Sequence, residues 1–174
     1  MTLSSRPTIV LVGPMGSGKS TIGKHLAALL NWEFIDSDKE LEARCGADIP
    51  WIFDIEGEAG FRQRESHVIE DLVVKPRTVV ATGGGSVLSP GNRKAIRNAG
   101  RVIYLTAPEQ VLFQRVEKDQ NRPLLQVDNP RAIYQKILQE REPLYREVAD
   151  DVVMTDNVQA PTTVARNIFQ KLDL

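Results

Sequence analysis

The chain has 174 residues, a formal net charge of −1 and a hydrophobic fraction of 41%. The length suggests one domain over residues 1–174, since domains commonly span about 100–200 residues. The balanced charge argues against nucleic acid or a membrane surface as partner, because such binders usually carry a basic surplus. No signal peptide or stretch of roughly 20 apolar residues is evident, and the one cysteine, Cys45, fits a reducing compartment. We therefore expect a soluble, cytoplasmic protein.

Short apolar strands alternate with helical patterns along the chain. The predicted strands are Thr8–Val12, Glu33–Ile35, Thr78–Ala81, Val102–Leu105 and Val152–Met154. The predicted helices are Ser20–Leu30, a helix after Ser37, Glu58–Val73, Pro90–Asn98, Pro108–Val116, Pro130–Tyr145 and Pro161–Leu172. This alternation predicts β-α-β units and an α/β fold with a parallel sheet. Val116–Asn129 is polar and aperiodic, and a loop of this length is often a functional lid.

The first strand leads directly into a phosphate-binding motif. Gly13-Pro14-Met15-Gly16-Ser17-Gly18-Lys19-Ser20 fits G-x-x-x-x-G-K-[ST]. The glycines let backbone N–H groups point at phosphate oxygens, and the following helix adds its N-terminal dipole. Lys19 supplies positive charge for the β- and γ-phosphates, and the Ser20 hydroxyl is a ligand suited to Mg²⁺. A chance glycine-rich turn is the alternative, but the flanking strand and amphipathic helix favour a nucleotide site.

The rest of the chain narrows the class of nucleotide-binding protein. A GTPase would need an N-K-x-D sequence, and the chain has none. Asp54-Ile55-Glu56-Gly57 matches D-x-x-G, but it lies in a region with a helical pattern, so chance explains it better. Motor and transporter ATPases usually need a longer chain. The remaining class is a small kinase that transfers the γ-phosphate to a bound metabolite.

Two polar segments follow the second and third strands. Asp36 and Asp38 end the second strand, at the edge where open α/β sheets bind ligands. They could divide the work between the Mg²⁺ shell and an acceptor hydroxyl, or they could belong to a turn in which Ser37 caps the next helix. Gly83-Gly84-Gly85 ends the third strand. It either lets the backbone approach a ligand closely or forms a flexible turn.

Three arginines are candidates for binding an anion. Arg62 lies four residues after Glu58 and three before Glu65, so an intrahelical ion pair is an alternative explanation. Arg141 is open to interpretation as a solvated surface charge. Arg122 lies in the aperiodic segment, where it is either a lid arginine or an ordinary loop charge.

Taken in chain order, these motifs resemble the shikimate kinase family. The resemblance runs nearly end to end and rests on Ile9–Gly23, Phe34-Ile35-Asp36-Ser37-Asp38, Gly57-Glu58-Ala59-Gly60-Phe61-Arg62, Ala81-Thr82-Gly83-Gly84-Gly85-Ser86, Arg122-Pro123-Leu124-Leu125 and Arg141-Glu142-Pro143-Leu144-Tyr145. It implies a three-layer α/β/α P-loop kinase fold with a five-stranded parallel sheet in the order 2-3-1-4-5. The implied parts are a core with the P-loop at 8–30, a substrate region at about 37–65 and a mobile lid at about 116–129.

The resemblance also implies the reaction and the substrate residues. ATP and shikimate would give ADP and shikimate 3-phosphate, a step toward chorismate and the aromatic amino acids. Asp38 looks like the residue that binds the ring hydroxyls and assists deprotonation of the attacking one. Arg62 and Arg141 look like the pair that grips the substrate carboxylate, which a guanidinium fork matches well. Gly84 resembles the glycine whose N–H meets a substrate oxygen.

On the nucleotide side, the resemblance implies catalytic roles for Lys19 and for Arg122, the lid arginine. Ser20 looks like the direct Mg²⁺ ligand, with Asp36 acting through water. Arg115 would stack on the adenine, and Gln159 would lie in the adenine-side loop. The full set expected to bind ATP is Pro14, Met15, Gly16, Ser17, Gly18, Lys19, Ser20, Thr21, Arg115, Arg122 and Gln159.

Two rival functions remain open from the sequence. One is a kinase for another small polyol acid such as gluconate, which would differ in its acceptor. The other is a nucleotide-dependent binding or regulatory module without transfer activity, although such a module needs neither Asp38 nor Arg122. The small size and balanced charge favour a monomer.

Overall fold

The computed structural model describes residues 8–172, and its centre is one five-stranded sheet. All neighbouring strands pair in parallel, in the order β2-β3-β1-β4-β5. The predicted strand order is therefore confirmed. The strands are β1 Thr8–Val12, β2 Glu33–Asp36, β3 Thr78–Ala81, β4 Arg101–Thr106 and β5 Asp151–Met154.

Helices connect the strands and cover the sheet. They are α1 Lys19–Leu30, α2 Ser37–Cys45, α3 Ile49–Leu72, α4 Pro90–Ala99, α5 Glu109–Val116, α6 Pro130–Val148 and α7 Pro161–Lys171. Short 3₁₀ helices occur at Ser86–Leu88 and Pro123–Leu125. Within residues 8–172, none of the helices combines the length and apolarity needed to cross a membrane.

The central strand β1 shows why helices cover both faces of the sheet. Every residue of β1 is buried, and successive side chains of a strand point to opposite faces. Ile9 and Leu11 pack in an apolar cluster with α1 and α7, whereas Val10 and Val12 pack in another with α3, α4 and α6. The predicted three-layer arrangement is thus confirmed.

Helix α3 is longer than the sequence pattern predicted. It begins at Ile49 rather than near Glu58, and it is kinked at Gly57, where φ is 70° and ψ is 179°. This backbone conformation suits glycine, which has no Cβ to clash. The D-x-x-G match at Asp54–Gly57 therefore lies inside a kinked helix, in agreement with its interpretation as chance.

The N-terminal cap of α2 corrects a prediction. Asp36, not Ser37, is the cap residue, and its Oδ1 accepts hydrogen bonds from the backbone N–H groups of Asp38 at 2.9 Å and Lys39 at 3.2 Å. Ser37 is buried, and its hydroxyl accepts a hydrogen bond from the N–H of Gly83 at 3.0 Å. Aspartate caps a helix as well as serine. Because Ser37 is not the cap, its hydroxyl can instead link α2 to the segment after β3.

The segment expected to form a lid has an ordered attachment to the domain. It contains the 3₁₀ helix Pro123–Leu125, and Leu125 is buried in an apolar cluster with Met15 and residues of α5 and α6. The aperiodic sequence concealed this anchor because one buried leucine makes no repeating pattern. The mobility of the segment 116–129 stays a prediction.

The packing of α1 yields a prediction about stability. Leu26 is fully buried, whereas Leu29 on the same helix is 44% exposed. Leu26→Ala should lower the free energy of unfolding by about 2–5 kcal/mol, because it leaves a cavity in the core. Leu29→Ala is the matched control and should cost clearly less. Urea denaturation of both variants checks this, and equal losses would show that α1 is not packed as described.

Candidate active site

The P-loop connects β1 to α1 at the carboxyl edge of the sheet. Gly16 and Gly18 have φ values of 85° and 89°, in the left-handed region that favours glycine. The ammonium of Lys19 donates hydrogen bonds to the carbonyl oxygens of Gly13 at 2.8 Å and Pro14 at 2.9 Å. The loop therefore wraps around a positive charge.

The environment of Lys19 suits a bound polyanion. The pKa of Lys19 is lowered to about 7, mainly by burial and then by the charge of Arg122, while Asp38 and Asp36 oppose the shift. An anion beside the ammonium would favour its charged form and raise this pKa again. A bound phosphate would thus stabilise the charged form of Lys19, which burial disfavours.

Asp36 links β2 to the P-loop. The Ser20 hydroxyl donates a hydrogen bond to Oδ2 of Asp36, while Oδ1 of the same carboxylate caps α2. Hydroxyl and carboxylate oxygens are the donors that Mg²⁺ prefers in sites shared with nucleotide phosphates. These two side chains therefore fit the expected metal.

Asp38 lies in the first turn of α2 with a raised pKa. Burial is the main cause, and the neighbouring Asp36 raises the pKa further, whereas Arg122, Lys19 and Arg62 lower it. A carboxylate whose pKa is shifted toward neutrality is a better general base. Asp38 is the residue in this arrangement best suited to accept a proton.

The glycine segment after β3 brings charged groups against the backbone. A Cβ on Gly83 would lie 2.7 Å from Oδ1 of Asp38 and 3.0 Å from Oε2 of Glu65. A Cβ on Gly85 would overlap the guanidinium of Arg62. Both contacts are too short for any side chain to be added without displacing a charged group. Close approach, rather than a flexible turn, explains these glycines.

Arg62 forms the ion pairs that its spacing predicted, with Glu65 at 2.9 Å and Glu58 at 3.4 Å. These pairs do not satisfy it fully. Arg62 Nε and Glu65 Oε2 are buried and have no hydrogen-bond partner within residues 8–172. Glu65 itself is 2% exposed, so its ion pair with Arg62 lies in the interior of the protein. Only its three-residue spacing from Arg62 pointed to it.

The interpretation of Arg141 as a surface charge is wrong. Arg141 is 5% exposed, and in the described part of the chain it forms no ion pair with a carboxylate. Its Nη1 lies 3.7 Å from where a Cβ of Gly84 would be. The sequence reasoning also gave no role to Tyr145, whose hydroxyl donates to the Gly84 carbonyl at 2.5 Å.

Two cavities converge on these residues. The P-loop cavity, of about 250 Å³, is lined by Met15, Gly16, Gly18, Lys19, Ser20, Thr21, Asp36, Asp38, Thr82, Gly83, Gly84 and Arg122. The arginine cavity, of about 60 Å³, is lined by Met15, Asp38, Ile49, Phe53, Phe61, Arg62, Glu65, Gly83, Gly84, Gly85, Asn121, Arg122, Pro123, Leu124 and Arg141. Asp38 and Arg122 line both, so a carboxyl group and a guanidinium lie where the two cavities meet.

The remaining predicted residues lie outside these cavities. Pro14 and Ser17 are buried within the P-loop, where their oxygens contact Lys19. Arg115 and Gln159 line a separate cleft of about 450 Å³. Arg115 donates to the Gly16 carbonyl at 2.8 Å, so this cleft adjoins the P-loop. Arg115 and Gln159, the residues expected to contact the adenine, therefore lie next to the P-loop.

Comparison with known proteins identifies the family. The sequence model of a family described as Shikimate kinase matches residues 15–173. The chain belongs to the shikimate kinase family. It is 58% identical to a shikimate kinase of Halorhodospira halophila over 164 residues, which are 94% of this chain and 92% of the relative. It is also 49% identical to that of Hahella chejuensis over 170 residues, 98% of this chain and 88% of the relative.

Solved structures agree with this assignment. A shikimate kinase from Acinetobacter baumannii in complex with shikimate has a TM-score of 0.93 and 47% identity, covering 98% of this chain and 94% of that one. A gluconokinase from Sinorhizobium meliloti has a TM-score of 0.56 at 19% identity. That second likeness shows the shared fold alone.

The burial of Glu65 yields a prediction about pH. Burial raises the pKa of Glu65 above its ordinary value of 4.5, although Arg62 opposes the shift. The folded state therefore holds this proton more tightly than the unfolded state, and stability is lost as pH rises through the folded pKa. Glu65→Gln removes this loss, so its free energy of unfolding should rise relative to wild type as pH increases above 4.5.

Urea denaturation of both proteins at a series of pH values measures this difference. Glu58→Gln is the matched control, since Glu58 contacts the same arginine but is 49% exposed. The control should follow the wild-type pH dependence. Parallel curves for wild type and Glu65→Gln would contradict the raised pKa.

Proposed function

We propose that this chain transfers the γ-phosphoryl group of ATP to the 3-hydroxyl of shikimate. The observation that carries the proposal is Arg141, a buried guanidinium without a carboxylate partner in the described chain. It lines the same cavity as Arg62 and Asp38. A ring acid with one carboxylate and neighbouring hydroxyls complements these groups, because the guanidinium groups match the carboxylate and Asp38 accepts from the hydroxyls. The Acinetobacter baumannii relative in complex with shikimate supports this choice.

The arrangement of charges supports direct transfer between the two cavities. The triphosphate would lie on the P-loop with Lys19 beside it, and the acceptor hydroxyl would face it from the arginine cavity. The hydroxyl oxygen forms a bond to the γ-phosphorus as the bond to the bridging oxygen of ADP breaks. Asp38 takes the hydroxyl proton, and Arg122 stabilises the charge on the transferred group. The N–H of Gly84 is assigned to a substrate oxygen.

Mg²⁺ is the cofactor that we assign to the phosphate side. Ser20 would bind it directly and Asp36 would bind it through water, since both offer hard oxygen donors at the P-loop. When bound, the ion supplies positive charge on the β- and γ-phosphates.

The adenine would lie in the cleft that Arg115 and Gln159 line. The guanidinium of Arg115 is held by the Gly16 carbonyl and by Oδ1 of Asn157, at 2.8 and 3.1 Å. It therefore presents a fixed planar face, which suits stacking on a base.

We propose further that the enzyme is a cytoplasmic monomer, with the free thiol of Cys45 consistent with a reducing compartment.

An ADP-release assay tests the proposed reaction. Purified protein with ATP and Mg²⁺ should release ADP at a rate that depends on shikimate and not on gluconate. Release that depended on gluconate alone would favour the rival kinase. ATP binding without release in the presence of any hydroxy acid would favour a regulatory module.

The role of Asp38 gives a sharper prediction. Asp38→Asn keeps the size of the side chain but cannot accept the hydroxyl proton, so kcat should fall by about 10²–10⁴-fold. ATP affinity, measured by isothermal titration calorimetry, should stay close to wild type because the P-loop is unchanged. A variant with near-normal kcat would remove Asp38 from the role of general base.

A further inference from the structure

Asp119 organises the segment that carries Arg122. Its Oδ2 accepts a hydrogen bond from Nε of Arg122 at 3.0 Å, and its Oδ1 accepts one from the backbone N–H of Asn121 at 2.9 Å. The N–H of Asp119 donates to the carbonyl of Val116 at 3.0 Å, at the end of α5. One aspartate therefore joins the end of α5, the following turn and the guanidinium of Arg122.

This ion pair leaves the reactive side of the guanidinium available. Arg122 donates through Nε only, and the described residues offer its two terminal nitrogens no hydrogen-bond partner. Because the guanidinium is planar and rigid, a bond at Nε fixes the direction in which the terminal nitrogens point. Arg122 lines the P-loop cavity and the arginine cavity, so the contact at Nε fixes a guanidinium that lies beside both.

Stability does not explain the contact. The side chains of Asp119 and Arg122 are 34% and 35% exposed, and ion pairs with this exposure contribute little to folding. The acidic group also costs something at a phosphate site, because it reduces the net positive charge beside the transferred group. Asp119 therefore contributes little to stability and weakens the attraction for phosphate. Its contact with Arg122 needs another explanation.

We propose that Asp119 is a positioning residue that orients the guanidinium of Arg122 toward the transferred phosphoryl group. The inference rests on the proposed function, in which Arg122 stabilises that group. In this proposal Asp119 acts on neither substrate directly, although it lines a cavity together with Asp36, Asp38 and Arg122. Its effect appears only through Arg122, and this dependence is what the experiment measures.

The variant Asp119→Asn weakens the contact that orients Arg122 but keeps the hydrogen bond to the backbone of Asn121. Its side-chain oxygen still accepts from the N–H of Asn121, but the amide has no charge and no second acceptor for Arg122. We expect kcat to fall on the order of tenfold, with the KM for shikimate unchanged because Arg62 and Arg141 are untouched. Asp128→Asn is the matched control, since Asp128 is exposed on the same segment and has no ion pair within residues 8–172. Its kcat should equal that of wild type.

A double-mutant cycle decides whether Asp119 acts through Arg122. In single-turnover measurements with Arg122→Ala, adding Asp119→Asn should cause no further loss, because the group to be oriented is gone. An unchanged kcat in Asp119→Asn, or an undiminished loss in the Arg122→Ala background, would overturn the proposal. Wild-type protein without shikimate-dependent ADP release would instead refute the proposed function, so the two failures are distinct.

Discussion

The site depends on a buried guanidinium that the protein leaves without a negative partner. Arg141 is 5% exposed and forms no ion pair with a carboxylate in the described chain. Placing a charge out of water without a partner costs several kcal/mol, even after relaxation of the surroundings. Two polar groups reduce this cost, namely the hydroxyl of Tyr145, which interacts with Arg141, and the nearby backbone of Gly84. An anionic ligand would supply the missing negative partner. Part of the substrate affinity would therefore come from relieving the cost of the unpaired charge.

The parallel sheet explains how distant residues meet around this cation. Strands β1, β2 and β3 are adjacent and run in the same direction, so the segments that follow them lie at one edge. Those segments are the P-loop, the start of α2 and the glycine segment 83–85. Helices α3 and α6 add Arg62 and Arg141 from the face of the sheet that they cover. The sheet topology therefore brings Asp38, the two arginines and the P-loop together.

Sequence patterns predicted those parts that depend on local chemistry. The P-loop, the strands and the positions of Asp36 and Asp38 follow from motif and periodicity, and the structure places them as expected. The burial of Arg141 was not predictable from its own helix, where charged neighbours suggested a surface position. Tertiary packing of α6 on the glycine segment decides it. Tyr145 was missed for the same reason, because its partner Gly84 lies 61 residues away in the chain. The spacing of Glu65 from Arg62 predicted their ion pair, but it could not predict that Glu65 is buried.

Substitution of Arg141 tests the central claim most directly. Arg141→Met keeps most of the volume and removes the charge. Denaturation without ligand should give a free energy of unfolding higher than wild type by about 1 kcal/mol or more. Saturating shikimate should stabilise wild type by about 2.7 kcal/mol at a hundredfold excess over Kd and should leave the variant unchanged. A variant that is less stable than wild type and still stabilised by shikimate would contradict the account.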